Sequence, residues 1–418
     1  MRAFLSNRLD LSGQSAALAK NAAFLFGLRA LQRLLRLAAL YFVVRALDTA
    51  QFGEYQFILS CVALLGVFAL PGLNNSVMQS IARGFHGDYR RSVYFSLGSS
   101  LLGSLILLGF ALYFHAHHRD ELGSGFLIAS ALFPLAYGLE QWRSVKSGAE
   151  DFAAIFRLDG IGAAVLALLM IVAVKLRPGD LLVPLTVLLA VQAALNTLLT
   201  WVTFRQLPAA APVEEGAISY GIRLTAYSAF NILANQIDKI LIFFFLSPAS
   251  VALFFAAERI PELTKGAVQD VAAVLAPRFA RRSRYTHDLD RMLRLAGLAT
   301  GAGIVVIAFT VLPWILVLLF GESYRSSVPY AQALMCSVAI GNVSTLRYRY
   351  ITSKLDAAGP RTVTILMSVT RIAASLILVP LFGIVGAVVS AFVYRIAMTI
   401  IVHVVIRKRY LDNEASAT

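Results

Sequence analysis

Charge is what this chain has least of. Only 14% of its 418 residues are charged, against 58% that are hydrophobic, and the mean hydropathy is +0.73. A soluble domain carries about a quarter of charged residues. A soluble fold is therefore excluded, and the composition reads as an all-α polytopic membrane protein embedded in a lipid bilayer. Acids are scarcer than bases, 23 against 37, for a formal charge of +14. That excess does not make a nucleic-acid partner, because the basic residues stand in short clusters between apolar runs and form no continuous basic face. Cysteine is almost missing. Cys61 and Cys336 both lie in apolar runs, which rules out a disulfide framework or metal site and suits small buried hydrophobes. No lysine follows a glycine, so there is no Walker A loop; no histidine precedes a glutamate, so there is no HExxH zinc site; no GxSxG elbow occurs.

What is present is a series of apolar runs of bilayer length. Twelve fit, near 16–45, 55–80, 92–115, 122–147, 155–175, 181–204, 219–246, 249–275, 293–320, 326–350, 361–381 and 384–406. The polar, mildly basic start of the chain does not resemble a cleavable signal. Arg83, Arg90, Arg91, Arg143, Lys146, Arg157, Arg278, Arg281, Arg282, Arg284, Arg407, Lys408 and Arg409 fall on one side of that arrangement. The other side holds Arg45, Arg119, Lys175, Arg177 and Arg325. The positive-inside rule then places both termini in the cytoplasm. Loops this short weigh against a membrane glycosyltransferase, ligase or polymerase, which normally needs a sizeable extramembrane loop for its acceptor.

QLPAAAPVEEG, after Arg205, breaks the helical pattern and predicts an extended linker. The expected organisation is an N-terminal half over 1–205, a linker over 206–218 and a C-terminal half over 219–418, with six helices in each half. LDTAQFGEY, from Leu47 to Tyr55, and LSPASVALF, from Leu246 to Phe254, echo one another about 199 positions apart. Such a repeat with an even number of helices per half implies two halves related by an axis along the membrane normal.

The first span carries Arg29, Arg33 and Arg36 on one helical face beside Gln32. Each arginine costs about 2.5–3.5 kcal/mol near the bilayer centre, so that face must meet water, protein or an anion. On the seventh span Tyr220, Tyr227, Asn231, Asn235 and Asp238 share a face; on the eighth, Glu258, Glu262, Lys265 and Gln269 form a stripe in which Glu262 can pair with Lys265 and Glu258 with an arginine elsewhere. Arg395 stands in the twelfth span. Arg143, Lys146, Arg347 and Arg349 lie near helix ends and read as snorkelling, and Gln192, Asn196 and Thr200, at four-residue steps, as interhelical hydrogen bonding. Pro71 with Gly72, Pro134, Pro261 and Pro313 are candidate bends.

RALDTAQFGEYQFILS, PGLNNSVMQSIARG, QIDKILIFFFLSPASVALFFAAERIPEL, VLAPRFARR and PLFGIVGAVVS together resemble the Wzx-like polysaccharide and O-antigen flippases of the multidrug/oligosaccharidyl-lipid/polysaccharide exporter superfamily. The resemblance implies two six-helix lobes in a V around a central cavity. It also implies transfer of an undecaprenyl-diphosphate-linked oligosaccharide from the cytoplasmic to the periplasmic leaflet of a bacterial inner membrane, alongside other polysaccharide-assembly membrane proteins. On that reading Arg29, Arg33 and Arg36 face the diphosphate or anionic sugars, with Arg349 and Arg395 as further cations, and guanidinium forks suit such groups. Tyr220, Tyr227, Asn231 and Asn235 contact sugar hydroxyls. Asp238 and Glu258 are the candidates for coupling to H⁺ or Na⁺, no other cofactor being expected. The alternatives are a cation-coupled drug or metabolite antiporter of the same superfamily, its peptidoglycan-precursor flippase branch with fourteen helices, and a membrane enzyme of polysaccharide assembly.

Overall fold

The computed structural model describes residues 27–208, 211–281, 285–353 and 358–408. These residues are helical, without strands among them, and each of the twelve expected spans meets a helix. Residues 27–46 form α1; the expected start of the first span at Ala16 lies outside the described residues. The second span is not one helix but two, α2 (Thr49–Leu65) and α3 (Gly72–Ala82), separated by a 3₁₀ turn over Gly66–Ala69. Pro71 supplies no N–H and bars the preceding residue from helical torsions, and Leu70 turns with φ 51°. Then come α4 (Gly87–Ala116), α5 (Asp120–Tyr137), α6 (Trp142–Gly148), α7 (Phe152–Leu176) and α8 (Leu182–Gln206). The C-terminal half holds α9 (Ala217–Phe245), α10 (Pro248–Arg281), α11 (His287–Thr310), α12 (Leu312–Phe320), α13 (Val328–Ser353) and α14 (Ala358–Ile406). The last is two arms meeting at Gly383, whose φ of 60° and ψ of −134° only glycine adopts readily. Pro313 sits at the break between α11 and α12, whereas Pro134 lies inside the last turn of α5 and α10 runs through Pro261. Eight stretches among the described residues are long and apolar enough to cross a membrane. The helices α1, α10 and α13 have the length but carry the charges noted above.

Contacts gather the chain into two compact units, one of α1 with Phe68–Leu224, the other of Leu47–Val67 with the chain from Thr225 onward. In the first unit α5 packs on α4 and α8, α7 on α8, and α3 on α6. The break between α5 and α6 leaves main-chain carbonyls bare, which hydrocarbon cannot satisfy. The sixth span satisfies them. Asn196 donates to the Ala136 carbonyl at 2.7 Å, Gln192 to the same oxygen at 3.2 Å, and Thr200 to the Leu139 carbonyl at 2.9 Å. Asn196 in turn accepts from the Trp142 indole at 3.0 Å. The expected interhelical bonds thus serve a broken helix. Asn196→Leu should lower stability by about 1–3 kcal/mol, the cost of orphaning a buried polar partner, seen as a lower unfolding temperature in detergent.

Residues 211–216, which run without helix between α8 and α9, are docked on this unit. Gly87 N–H donates to the Pro212 carbonyl at 2.9 Å, Glu214 N–H to the Asp88 carboxylate at 3.1 Å, and Arg83 pairs with Glu214 at 2.7 Å. Arg90 donates to the Phe204 carbonyl at the end of α8 at 2.9 Å and to the Leu207 carbonyl, the first beyond it, at 3.4 Å. Two arginines read as topology signals therefore also hold this connection down. Arg143 does not snorkel, since it pairs with Glu140 and with Asp159, each at 2.8 Å.

The second unit contains both halves of the sequence echo. Asp48 caps α2 by accepting from Gln51 N–H at 2.8 Å, and Ser247 caps α10 by accepting from Ser250 N–H at 3.2 Å. These caps stand 199 residues apart (247 − 48), the offset of the echo. The two helices pack on each other. Gly53 is there because a Cβ would overlap the Pro248 carbonyl oxygen and carbon. Phe57 stacks on Phe243 at 3.6 Å between centroids, and Phe52 meets Phe255 edge-on at 5.6 Å.

Where α11 begins, a buried polar knot sits in an apolar cluster that includes Leu289, Leu293, Tyr350, Met367 and Met398. Asp290, 2% exposed, accepts from the Tyr285 hydroxyl at 2.6 Å and from Arg347 Nε at 2.9 Å, and pairs with Arg294 at 2.9 Å. Arg347 Nη2 lies 3.2 Å from His403 Nδ1. Snorkelling is thus wrong for Arg347, itself 2% exposed; a fixed carboxylate binds it more strongly than the interface would. Burial, and then the bond to Asp290, push the Tyr285 phenol above its usual range.

Candidate functional site

Polar chemistry concentrates in two places, one in each unit. In the first unit α1 presents Arg29 and Arg36 exposed and Arg33 half-buried. The helix is docked on the start of α7: Gln32 donates to the Phe156 carbonyl at 2.7 Å and the Arg29 guanidinium lies 4.6 Å from the Phe156 ring centre. One turn along α7, Asp159 is already engaged by Arg143. The arginine face is therefore oriented by an amide and a ring.

In the second unit an open cavity lies between α10, α13 and α14, with Glu258, Glu262, Lys265, Ser337, Arg371, Tyr394 and Arg395 among its walls. Arg371 and Arg395, on the two arms of α14, lie 5.6 and 5.2 Å from the ring centre of Tyr394. Gly341 on α13 leaves room for the Arg395 stem, which a side chain there would strike. Behind the cavity Asp238 pairs with Arg371 at 3.0 Å, and Glu258 with Lys239 at 2.8 Å and Arg371 at 3.7 Å. Asp238 is buried at 1% exposure and Lys239 at 8%. In a low-dielectric interior such charges persist because they are paired.

The sequence-predicted residues separate as follows. Asp238, Glu258 and Arg395 converge on this cavity and its rear wall. Glu258 has an arginine beside it, as expected, but its shorter partner is Lys239. Glu262 is exposed toward the cavity, and neither it nor Lys265 nor Arg395 has an opposite charge within bridging distance among the described residues, so the expected Glu262–Lys265 pair is not formed. On α9 accessibility grades along the polar face: Tyr227 and Asn231 are exposed, Asn235 is half-buried and Asp238 is closed in, while Tyr220 belongs to the first unit. Arg349 is not in the cavity wall. It lies twelve residues beyond Ser337 on α13, about 18 Å at helical rise. Sequence reading missed Lys239 and Arg371. A lone arginine inside a long apolar run was the available signal for Arg371.

A polytopic helical body with broken spans and charged residues turned into an interior cavity has the design of a membrane transporter. Solved structures share this fold. They include the lipid II flippase MurJ in its inward closed conformation (TM-score 0.68, 14% identity, 92% of this chain and 87% of that one). A multidrug resistance MATE family transporter of the MOP superfamily, inward-facing, gives a TM-score of 0.63 at 13% identity over 90% of this chain and 96% of that one. A MOP superfamily transporter from Pyrococcus furiosus gives 0.60 at 14% identity, over 90% and 92%. The sequence assigns the family: residues 18–283, more than half of the chain, match the family described as polysaccharide biosynthesis protein, and the chain belongs to it. No curated protein matches it by sequence.

Proposed function

We propose that this protein is a flippase that moves an undecaprenyl-diphosphate-linked oligosaccharide from the cytoplasmic to the periplasmic leaflet of a bacterial inner membrane by alternating access, with both termini in the cytoplasm. Its product would feed O-antigen, capsule or exopolysaccharide synthesis. The observation that carries the reading is the surplus of cations on polar faces of membrane helices in a member of the polysaccharide biosynthesis family. Arg29, Arg33 and Arg36 line one face of α1, and Lys265 and Arg395 stand in the second unit's cavity without a bridging acid among the described residues. Guanidinium groups bind diphosphate through paired charged hydrogen bonds. Tyr220, Tyr227, Asn231 and Asn235 supply neutral donors and acceptors for sugar hydroxyls, and Arg349, outside the cavity wall, is the weakest of the cation candidates.

The test is transfer of a fluorescent lipid-linked oligosaccharide across vesicles containing the purified protein. The correctly inserted triple variant Arg29→Ala, Arg33→Ala, Arg36→Ala should move it at least about tenfold more slowly, since each charged hydrogen bond is worth roughly 1.5–3 kcal/mol. Unchanged transfer would end the phosphate-site reading. One observation favours the cation-coupled antiporter instead: Glu262 faces the cavity with no base bridging it among the described residues, as a cationic cargo would require. Loss of the gene that changes drug sensitivity while leaving surface polysaccharide intact would decide for it.

A further inference from the structure

Two carboxylates close together inside a membrane protein are what an alkali cation needs, because hard cations take oxygen ligands. Asp238 on α9 and Glu258 on α10 are such a pair, and a coupling Na⁺ would be expected between them. Their oxygens are already committed. Arg371 Nη2 lies 3.0 Å from Asp238 Oδ2 and 3.7 Å from Glu258 Oε1, so one guanidinium spans both acids. Lys239 Nζ holds the remaining Glu258 oxygen at 2.8 Å. Two acids thus face two permanent cations. A further cation would meet like charges at contact distance in a medium that screens them poorly. The cluster also keeps two buried atoms without a hydrogen-bond partner, Asp238 Oδ1 and Arg371 Nε. An oxygen lone pair is therefore in place, and a guanidinium occupies the space beside it.

We infer that Arg371 is a tethered counter-cation standing where a coupling alkali ion would bind, so that Asp238 and Glu258 take no Na⁺ and the protein draws on no Na⁺ gradient through them. The residues Asp238 and Glu258 do not fit a Na⁺ site while Arg371 is present. Removing the guanidinium leaves two buried acids with one ammonium and opens a latent Na⁺ site.

Thermal unfolding of the purified full chain tests this without any cargo, so its outcome is independent of the flippase reading. Wild type should unfold at the same temperature in NaCl, KCl and N-methylglucamine chloride of equal ionic strength. Arg371→Ser should unfold lower and regain a few degrees in a saturable manner with Na⁺ alone, as a ligand that binds only the folded state does. Adding Asp238→Asn should abolish that gain. Arg371→Lys should remain indifferent to Na⁺, because an ammonium still fills the gap. A saturable Na⁺-specific stabilisation of wild type that disappears in Asp238→Asn overturns the inference, as does a folded Arg371→Ser that ignores Na⁺. Should Arg371→Ser fail to fold, the wild-type comparison and a Na⁺-responsive Arg371→Lys still decide the matter.

Discussion

Gly53→Leu is expected to unseat α2 from α10 and to lower stability by about 3 kcal/mol, the upper part of the range for overpacking. The reason is geometric. A Cβ at position 53 would overlap the Pro248 carbonyl, and both partners are main chain, so no rotamer change relieves the clash. The helices must separate, and the Phe57–Phe243 stack and the Phe52–Phe255 contact separate with them. Even Gly53→Ala should be costly here, whereas alanine at Gly98, where no atom lies within 4 Å, should be harmless or slightly stabilising. Unfolding temperatures of the three variants in one detergent check the order. A Gly53→Leu protein as stable as wild type would show that α2 does not seat as described.

Arg347→Leu should cost about 3–5 kcal/mol, the usual result of removing one member of a buried ion pair. Asp290 would keep Tyr285 and Arg294, so the loss should fall toward the lower figure, and Arg347→Leu with Asp290→Leu should lose less than the two single changes summed. The same knot predicts an alkaline limit. The Tyr285 phenol is raised in the folded state by burial and by its bond to Asp290. Above about pH 10, where an unfolded tyrosine ionises, the unfolded chain binds fewer protons than the folded one. Stability therefore falls as pH rises through that range. Tyr285→Phe should flatten this decline, measurable as unfolding temperature against pH.

Where sequence reading succeeded, the signal was local. Apolar runs of bilayer length located the spans, because hydrocarbon forces continuous helices. Four-residue steps of Gln192, Asn196 and Thr200 marked a bonding face, and Pro71 marked a break. Where it failed, the deciding partner was remote. Asp238 looked available because its partner Arg371 is 133 residues away. Lys239 follows Asp238 directly, and a helix turns adjacent residues about 100° apart, so a single-face reading passed over it. Arg347 was misread for a similar reason, its acid lying 57 residues away. The grouping of Leu47–Val67 with the later part of the chain has no signature in α2 alone. It follows from Gly53, whose purpose emerges only beside Pro248.

The carbonyls bared between α5 and α6 bear on biogenesis. Ala136 waits 60 residues for Asn196, roughly 3–12 s at usual rates of synthesis. During that interval the fourth span carries main-chain oxygens that lipid cannot solvate, so it should linger beside the insertion machinery or at the water interface until the sixth span emerges. The order of release into the bilayer is then set by hydrogen-bond supply rather than by hydrophobicity, and a chain truncated before Gln192 should leave its fourth span poorly integrated.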